Sequence, residues 1–487
     1  MTPSNIIDAM HRPEWWAKWF ERGDWSAWRV FLSALFAMPI GDEGLSIFRE
    51  CTGRTAPPSS PAREAWAICG RRGGKTRIMA SVAAWLACFV DWRPYLAPGE
   101  IASVMVIAAD RRQARVAMRY LRSLIIEHPT LSQLVTRESD ETIELSCRVV
   151  IEVATASFRT TRGYTIAAVL ADEVAFWFDG DTSANPASEI LVALRAAMAT
   201  MPLALLMVAT TPYARRGSVY ETWRRHWAKD DDPILVWRAP TRRMNPSVPQ
   251  SLIDEALEDD PARAAAEYLA EFRTDVETFI PREVVEAATA TGRHELPRMG
   301  GTIYRAFADP SGGSSDSFTL AIAHRDSNGL AVLDAVRERR PPFSPEACVE
   351  EFAELLKAYG LRRVTGDRYA GEWPRERFSV HGIQYEVSEM VKSDIYRDFL
   401  PLINSGKIEL LDHARLCTQL CALERRTARG GRDSIDHAPG AHDDVANSVA
   451  GALVLAAGKR PLVIPDSLVA SSAQPSVQTR HRHGVFI

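Results

Sequence analysis

Residues Cys69 to Arg77 read CGRRGGKTR. A glycine-rich run closing on Gly-Lys-Thr has the makings of a phosphate cradle, although the usual spacing is glycine, four residues, then Gly-Lys-Ser/Thr. Here Cys69 holds the first glycine position, Gly70 comes one place late, and Arg71 and Arg72 lie inside the loop. Backbone N–H groups at a helix start, with the helix dipole, favour a phosphate. Lys75 would reach the outer phosphates of a nucleotide and Thr76 would turn its hydroxyl to Mg²⁺. The candidate cradle is Gly70, Arg71, Arg72, Gly73, Gly74, Lys75, Thr76 and Arg77. The plain alternative is a basic turn whose arginines face solvent.

Three further stretches bear on the same chemistry. AAVLADE is an apolar run ending in Asp172 and Glu173. A carboxylate at the end of a buried strand can hold the water shell of Mg²⁺, and its neighbour can orient and deprotonate an attacking water. Two solvated acids would look the same. MVATTP places Thr210, Thr211 and Pro212 at another apolar strand end, either a phosphate-sensing edge built around Thr211 or a capped strand. FRTTRGYT carries Arg159 and Arg162. Arg162, beside Gly163, is the candidate for an arginine acting across a subunit boundary, with a surface arginine as the alternative.

A second set is acidic. Asp309 follows TIYRAFA, Asp367 follows RRVTG, and Asp443 and Asp444 open a helix. Folded together, they could hold two divalent ions about 3.5–4 Å apart, the arrangement for in-line phosphodiester hydrolysis. Hard carboxylate oxygens suit Mg²⁺ or Mn²⁺. Strand-terminal aspartates are also common turn formers and helix caps, and the chain has 62 acidic residues to choose from.

The elements that must position these groups alternate. AWAIC, IASVMVIAA, TIAAVLADE and LALLMVATT read as buried strands, and the stretches after the first two read as helices, the latter capped by Asp110. ETIELS and RVVIEVATA read as a hairpin. Apolar strands alternating with helices imply a mostly parallel sheet covered on both faces. Later, TIYRAFAD, FTLAIAHRD and LAVLDAVRER read as an antiparallel meander. The chain divides into a Trp-rich helical segment 1–60, an α/β unit 61–239, a linker or lid segment 240–298, a second α/β unit 299–460, and a flexible Pro/Ser/Gln-rich tail 461–487. The net charge of −4 confines any polyanion-binding surface to a local patch. Seven scattered cysteines without a CxxC pair argue against a disulfide framework or a structural zinc site and fit a reducing cytoplasm. The N-terminus lacks the apolar core of a signal peptide.

The combination of CGRRGGKT, VLADE and ATTP, followed by ADPSGG, TGD and HDDVAN, resembles the large terminase subunit of tailed bacteriophages over roughly residues 60 to 460. The resemblance implies an N-terminal P-loop ATPase of the additional-strand type and a C-terminal nuclease with the RNase H fold. It carries Lys75 and Thr76 over as phosphate and magnesium contacts, Asp172 and Glu173 as magnesium-binding and water-activating groups, and Thr210 to Pro212 as a coupling motif. Asp309, Asp367 and one of Asp443 and Asp444 match the nuclease metal ligands, with Asp444 favoured. Where many relatives have a final acid, this chain has Asn447. The implied ligands are ATP with Mg²⁺, and Mn²⁺ as an option at the nuclease site. The implied partners are double-stranded DNA, a portal protein, a small terminase subunit and further copies in a ring on the procapsid, in the cytoplasm of an infected bacterium. The alternative is a DNA helicase or translocase whose second domain binds DNA without cutting it. Arg111, Arg115, Arg119 and Arg122 share one helical face that could track a phosphate backbone or simply face water.

Overall fold

The structure, a computed structural model, describes residues 2–156, 165–177, 186–313, 316–367, 373–426, 433–438 and 441–458. Arg159 and Arg162, and the tail from 459 onward, lie outside the described residues. Among the described residues the strands form three sheets.

The first sheet holds β1 (Glu64–Cys69), β2 (Ala102–Ala108), β3 (Val135–Glu138), β4 (Thr142–Leu145), β5 (Val149–Thr155), β6 (Thr165–Asp172), β7 (Leu205–Thr210) and β8 (Ile234–Ala239), in the order β3-β4-β5-β2-β6-β7-β1-β8. Strands β1, β2, β6 and β7 are apolar on both faces and buried almost throughout, as parallel strands beneath helices must be. β4 alternates buried and half-buried positions, because the antiparallel edge β3-β4-β5 has one wet face. β7 lies between β1 and β6, parallel to both. One strand thus separates the glycine loop from the acidic strand, which is the additional-strand arrangement. Trp16, Trp28 and Phe31 of the N-terminal helices pack into the same core as Trp66 of β1 and Trp237 of β8.

The remaining strands are β9 (Val276–Thr278), β10 (Thr289–Ala290), β11 (Tyr304–Asp309), β12 (Phe318–Arg325), β13 (Ala331–Arg339), β14 (Arg363–Gly366), β15 (Gln384–Val387), β16 (Ile408–Leu411), β17 (Leu423–Arg426) and β18 (Ser434–His437). The second sheet runs β10-β16-β13-β12-β11-β14-β15. β11, β12 and β13 form the antiparallel meander, and β14 and β15 extend it parallel to β11, the RNase H strand order. Alternation along the strands supplies two cores. Phe307, Ala321 and Ala323 face the helix Asp444–Ala457, while Ala306, Ala308, Leu320 and Ile322 face the helix Pro345–Ala358.

The third sheet, β18-β17-β9, meets the loop after β7. Glu424 of β17 is fully buried. It accepts hydrogen bonds from Tyr213 and from Arg216 and Arg426, and Arg216 also donates to Thr278 Oγ1 at 2.7 Å. Glu424→Ala would strand two arginines that already reach solvent, so the loss should fall near the lower end for a broken buried pair, about 3 kcal/mol. Urea denaturation would measure it.

Candidate functional site

The glycine loop runs from the end of β1 into the helix Lys75–Phe89. Cys69 is still part of the sheet, paired with Ala239 and wholly buried, so the missing first glycine lies in a strand rather than in the turn. Burial pushes its thiol up to about 12. Gly74 caps the helix in the left-handed region, at φ 89°. A Cβ there would meet Trp25 at 2.9 Å, so this position requires glycine on both counts.

The loop carbonyls are held from outside. Trp28 Nε1 donates to Gly73 O at 2.6 Å, Thr241 Oγ1 to Arg71 O at 2.8 Å, and Asn245 Nδ2 to Arg72 O at 2.9 Å. With the carbonyls turned outward, the N–H groups of the helix's first turn are left for an anion. The segment after residue 240 therefore braces the loop directly.

Five expected residues converge at the carboxyl ends of β1, β6 and β7. Lys75 is buried, and its ammonium lies 2.8 Å from Thr211 Oγ1, 3.2 Å from Cys69 O and 3.2 Å from Glu173 Oε1. Thr76 Oγ1 donates to Asp172 Oδ2 at 2.9 Å. The other oxygen of Asp172 is buried and without a hydrogen-bond partner. Glu173 Oε2 accepts from Thr211 N at 2.9 Å and from Thr210 Oγ1 at 3.4 Å. The loop opens into a cleft of about 980 Å³ whose walls include Trp25, Tyr120, Met244, Val248 and Leu252.

The three cradle arginines all line this cleft, and two of their side chains are already engaged by protein partners. The Arg77 guanidinium lies over the rings of Trp25 and Tyr120, 5.3 and 5.4 Å from their centroids, and donates to Trp19 O at 3.1 Å. Its side chain braces the N-terminal helices, and what it offers an anion is its backbone N–H. Arg71 is exposed and turns to Glu267 at 3.2 Å. Arg72 stands exposed at the loop tip.

Burial, then the charge of Glu173, raises Asp172 to about 7, with Lys75 and Thr76 opposing. A carboxyl raised on folding costs stability once the pH exceeds its unfolded value near 3.9, and the cost grows until the pH passes the folded value. Asp172→Asn should therefore raise Tm at pH 8 in EDTA, with the difference shrinking through pH 7 to 4. A melting series against pH checks this.

The second site sits where β11 and β14 end. Asp309 closes β11, and Asp367 follows β14 with its N–H on Ala308 O at 3.2 Å. The helix Asp444–Ala457 crosses the sheet closely because Gly451 has no Cβ. One built there would overlap the ring of Phe307. That approach delivers Asn447, whose Nδ2 donates to Asp309 Oδ2 at 2.9 Å and Asp367 Oδ2 at 3.4 Å. Asn447 Oδ1 is buried without a partner. Asp444 Oδ2 accepts from Ser317 N at 3.1 Å. Asp443 Oδ2 accepts from Tyr396 Oη at 2.9 Å and lies 3.1 Å from Lys392 Nζ.

Burial drives Asp309 well above the carboxylate range. The Asn447 hydrogen bond opposes it, and the charges of Asp444, Asp367 and Asp443 add to it. Asp444 is raised by burial too. Crowded carboxyls with raised affinity for protons mark a place where positive charge is wanted. The orphaned oxygens of Asp172 and Asn447 and the carboxylates beside them suit a hard divalent ion, and Asp309 and Asp367 belong to neither close ligand group found among the described residues. Among the described residues, Asp316, His442 and Asp444 form one group whose ligand atoms lie within 4.8 Å of one another, and Asp436, His437 and Asp443 form another.

Sequence reasoning missed the residues that brace these sites. Trp28, Thr241, Asn245, Ser317, Lys392 and Tyr396 come from elements far along the chain and carry no local motif. The one available signal was Asn447, three places beyond Asp444.

No family model and no curated protein matches this sequence. Solved structures do match at low identity. The large terminase of bacteriophage HK97 is 17% identical, with 81% of this chain and 91% of that chain covered and a TM-score of 0.36. A large terminase from a thermophilic bacteriophage is 12% identical, with 88% and 97% covered and a TM-score of 0.39. The large terminase nuclease of another thermophilic phage, G20c, is 17% identical, with 35% and 94% covered and a TM-score of 0.31.

Proposed function

We propose that the chain is the large subunit of a phage terminase, a motor that hydrolyses ATP to move double-stranded DNA into a procapsid and cuts concatemeric DNA. The observation that carries this reading is the pair of sites on one polypeptide. One gathers Lys75, Thr76, Asp172, Glu173 and Thr211 in an additional-strand sheet, and the other joins Asp309 and Asp367 through Asn447 on an RNase H-ordered sheet, with Asp444 opening the helix that carries Asn447.

At the first site the N–H groups of Gly74, Lys75 and Thr76 would receive the triphosphate of ATP. Lys75 would turn from Glu173 and Thr211 to the outer phosphates. Glu173, held by the N–H of Thr211, is then free to orient water and take its proton. Thr76 and Asp172 would hold Mg²⁺. At the second site Asp309, Asp367 and Asp444 would hold Mg²⁺ or Mn²⁺. Bound ions there supply charge neutralisation to the phosphates and lower the pKa of water. Asn447 keeps Asp309 and Asp367 aligned by donating to both. Glu173 ties the first site to the loop carrying Tyr213, and Tyr213 touches Glu424 beside β18. Movement of the β7 end therefore has a direct route to the second half of the chain.

The same reading assigns residues 61–239 to the ATPase unit and 299–460 to the nuclease, with a ring of copies, a portal protein and a small terminase subunit as partners in the host cytoplasm. Arg162 is the proposed residue acting across that ring. Purified protein with supercoiled plasmid tests the reading. Nicking that needs Mn²⁺ and ATP hydrolysis that needs Mg²⁺ are expected. A protein that hydrolyses ATP but never nicks would favour a translocase that binds DNA uncut.

A further inference from the structure

Asp443 already has a cation at the second site. Lys392 Nζ lies 3.1 Å from Asp443 Oδ2 and 2.7 Å from Asp436 Oδ1. Tyr396, wholly buried, donates its hydroxyl to Asp443 Oδ2 at 2.9 Å. Asp436, His437 and Asp443 are spaced closely enough to share one small cation, and the lysine ammonium sits against both carboxylates of that group. The helix offers no reason for a lysine there. Lys392 opens the helix Lys392–Asn404, and the first turn of a helix disfavours a positive charge. Its two carboxylate partners supply the reason. Asp444, one residue on, receives a neutral N–H from Ser317 instead.

The geometry points to Lys392 as a positioning residue of the cutting site: with Tyr396 it withholds Asp443 from divalent ions, so that Asp444 joins Asp309 and Asp367 as the third carboxylate. This rests on the second site being a metal site. The ammonium fixes both the number of carboxylates available and the net charge at the site. Removing it releases Asp443 beside Asp309 and Asp444. An ion then binds more tightly but is drawn toward a fourth ligand and away from the in-line geometry.

Mn²⁺ binding by the full-length protein without nucleotide, read by calorimetry and by the EPR signal of free Mn²⁺, tests this, with Asp309→Asn as background. Lys392→Met should bind Mn²⁺ at least about tenfold more tightly than wild type, as loss of one nearby positive charge demands, while its kcat for nicking falls. Lys392→Arg should behave as wild type. Adding Asp443→Asn to Lys392→Met should return the affinity to the wild-type level. Lys392→Gln, which keeps a hydrogen-bond donor and so protects the fold, should shift affinity in the same direction as Lys392→Met. Wild-type affinity in both neutral variants, or a double variant that stays tight, would overturn the inference. A wild type no different from Asp309→Asn would instead overturn the metal-site reading itself.

Discussion

Lys75→Ala is expected to lower kcat for ATP hydrolysis by about 10²–10³-fold, the scale for losing one donor to a phosphoryl or oxyanion transition state. The ammonium is buried among Cys69 O, Gly70 O, Thr211 Oγ1 and Glu173, where three strand ends meet. Arg72 is the natural contrast: it lies on the same loop but is exposed at its tip, so Arg72→Ala should change kcat far less. Mn²⁺-dependent nicking in Lys75→Ala should stay at the wild-type level, because the second site has its own ligands. Phosphate-release kinetics on the two variants would check this. Equal losses in both would mean that the loop works as a basic patch and that Lys75 has no special place.

Asp309→Asn should abolish nicking, lowering the rate by more than about 100-fold, since even residues that only support a metal ligand cost up to that much. ATP hydrolysis without DNA should be unchanged. The same substitution should make the protein more stable at neutral pH. The carboxyl of Asp309 is raised far above its ordinary range, chiefly by burial. Its ionised form is therefore a burden on the fold at any pH above the unfolded value. Asparagine removes that charge and still offers Asn447 Nδ2 an acceptor. Loss of activity with a gain in Tm is a signature that simple misfolding cannot produce. A fall in both would assign Asp309 to structure.

Much of the scaffold was legible because burial on two faces leaves a plain mark. The runs VMVIA, AAVLA and LLMVA could be little else than central strands, and Asp110 caps its helix as its position suggests. The loop was harder to judge. Its first glycine position belongs to β1, where Cys69 packs into the core. Arg77 follows Thr76 and lines the same cleft. Its destination depends on Trp25 and Tyr120, which only the folded chain brings alongside. Asp443 and Asp444 are identical in type and adjacent in sequence. What separates them is Lys392 and Tyr396 on one side and Ser317 on the other, and neither neighbourhood can be read from HDDVAN. The segment 240–298 read as a linker because TRRMNPSVPQ has loop chemistry, yet Thr241 and Asn245 grip the glycine loop.

Anomalous diffraction from crystals grown with Mn²⁺ and a non-hydrolysable ATP analogue tests the central claim most directly. Two separate regions of manganese density are predicted, one between Thr76 and Asp172 beside the analogue's phosphates, the other among Asp309, Asp367 and Asp444. Manganese at only one of them, or at the second site on Asp443 with Lys392 displaced, would contradict the account.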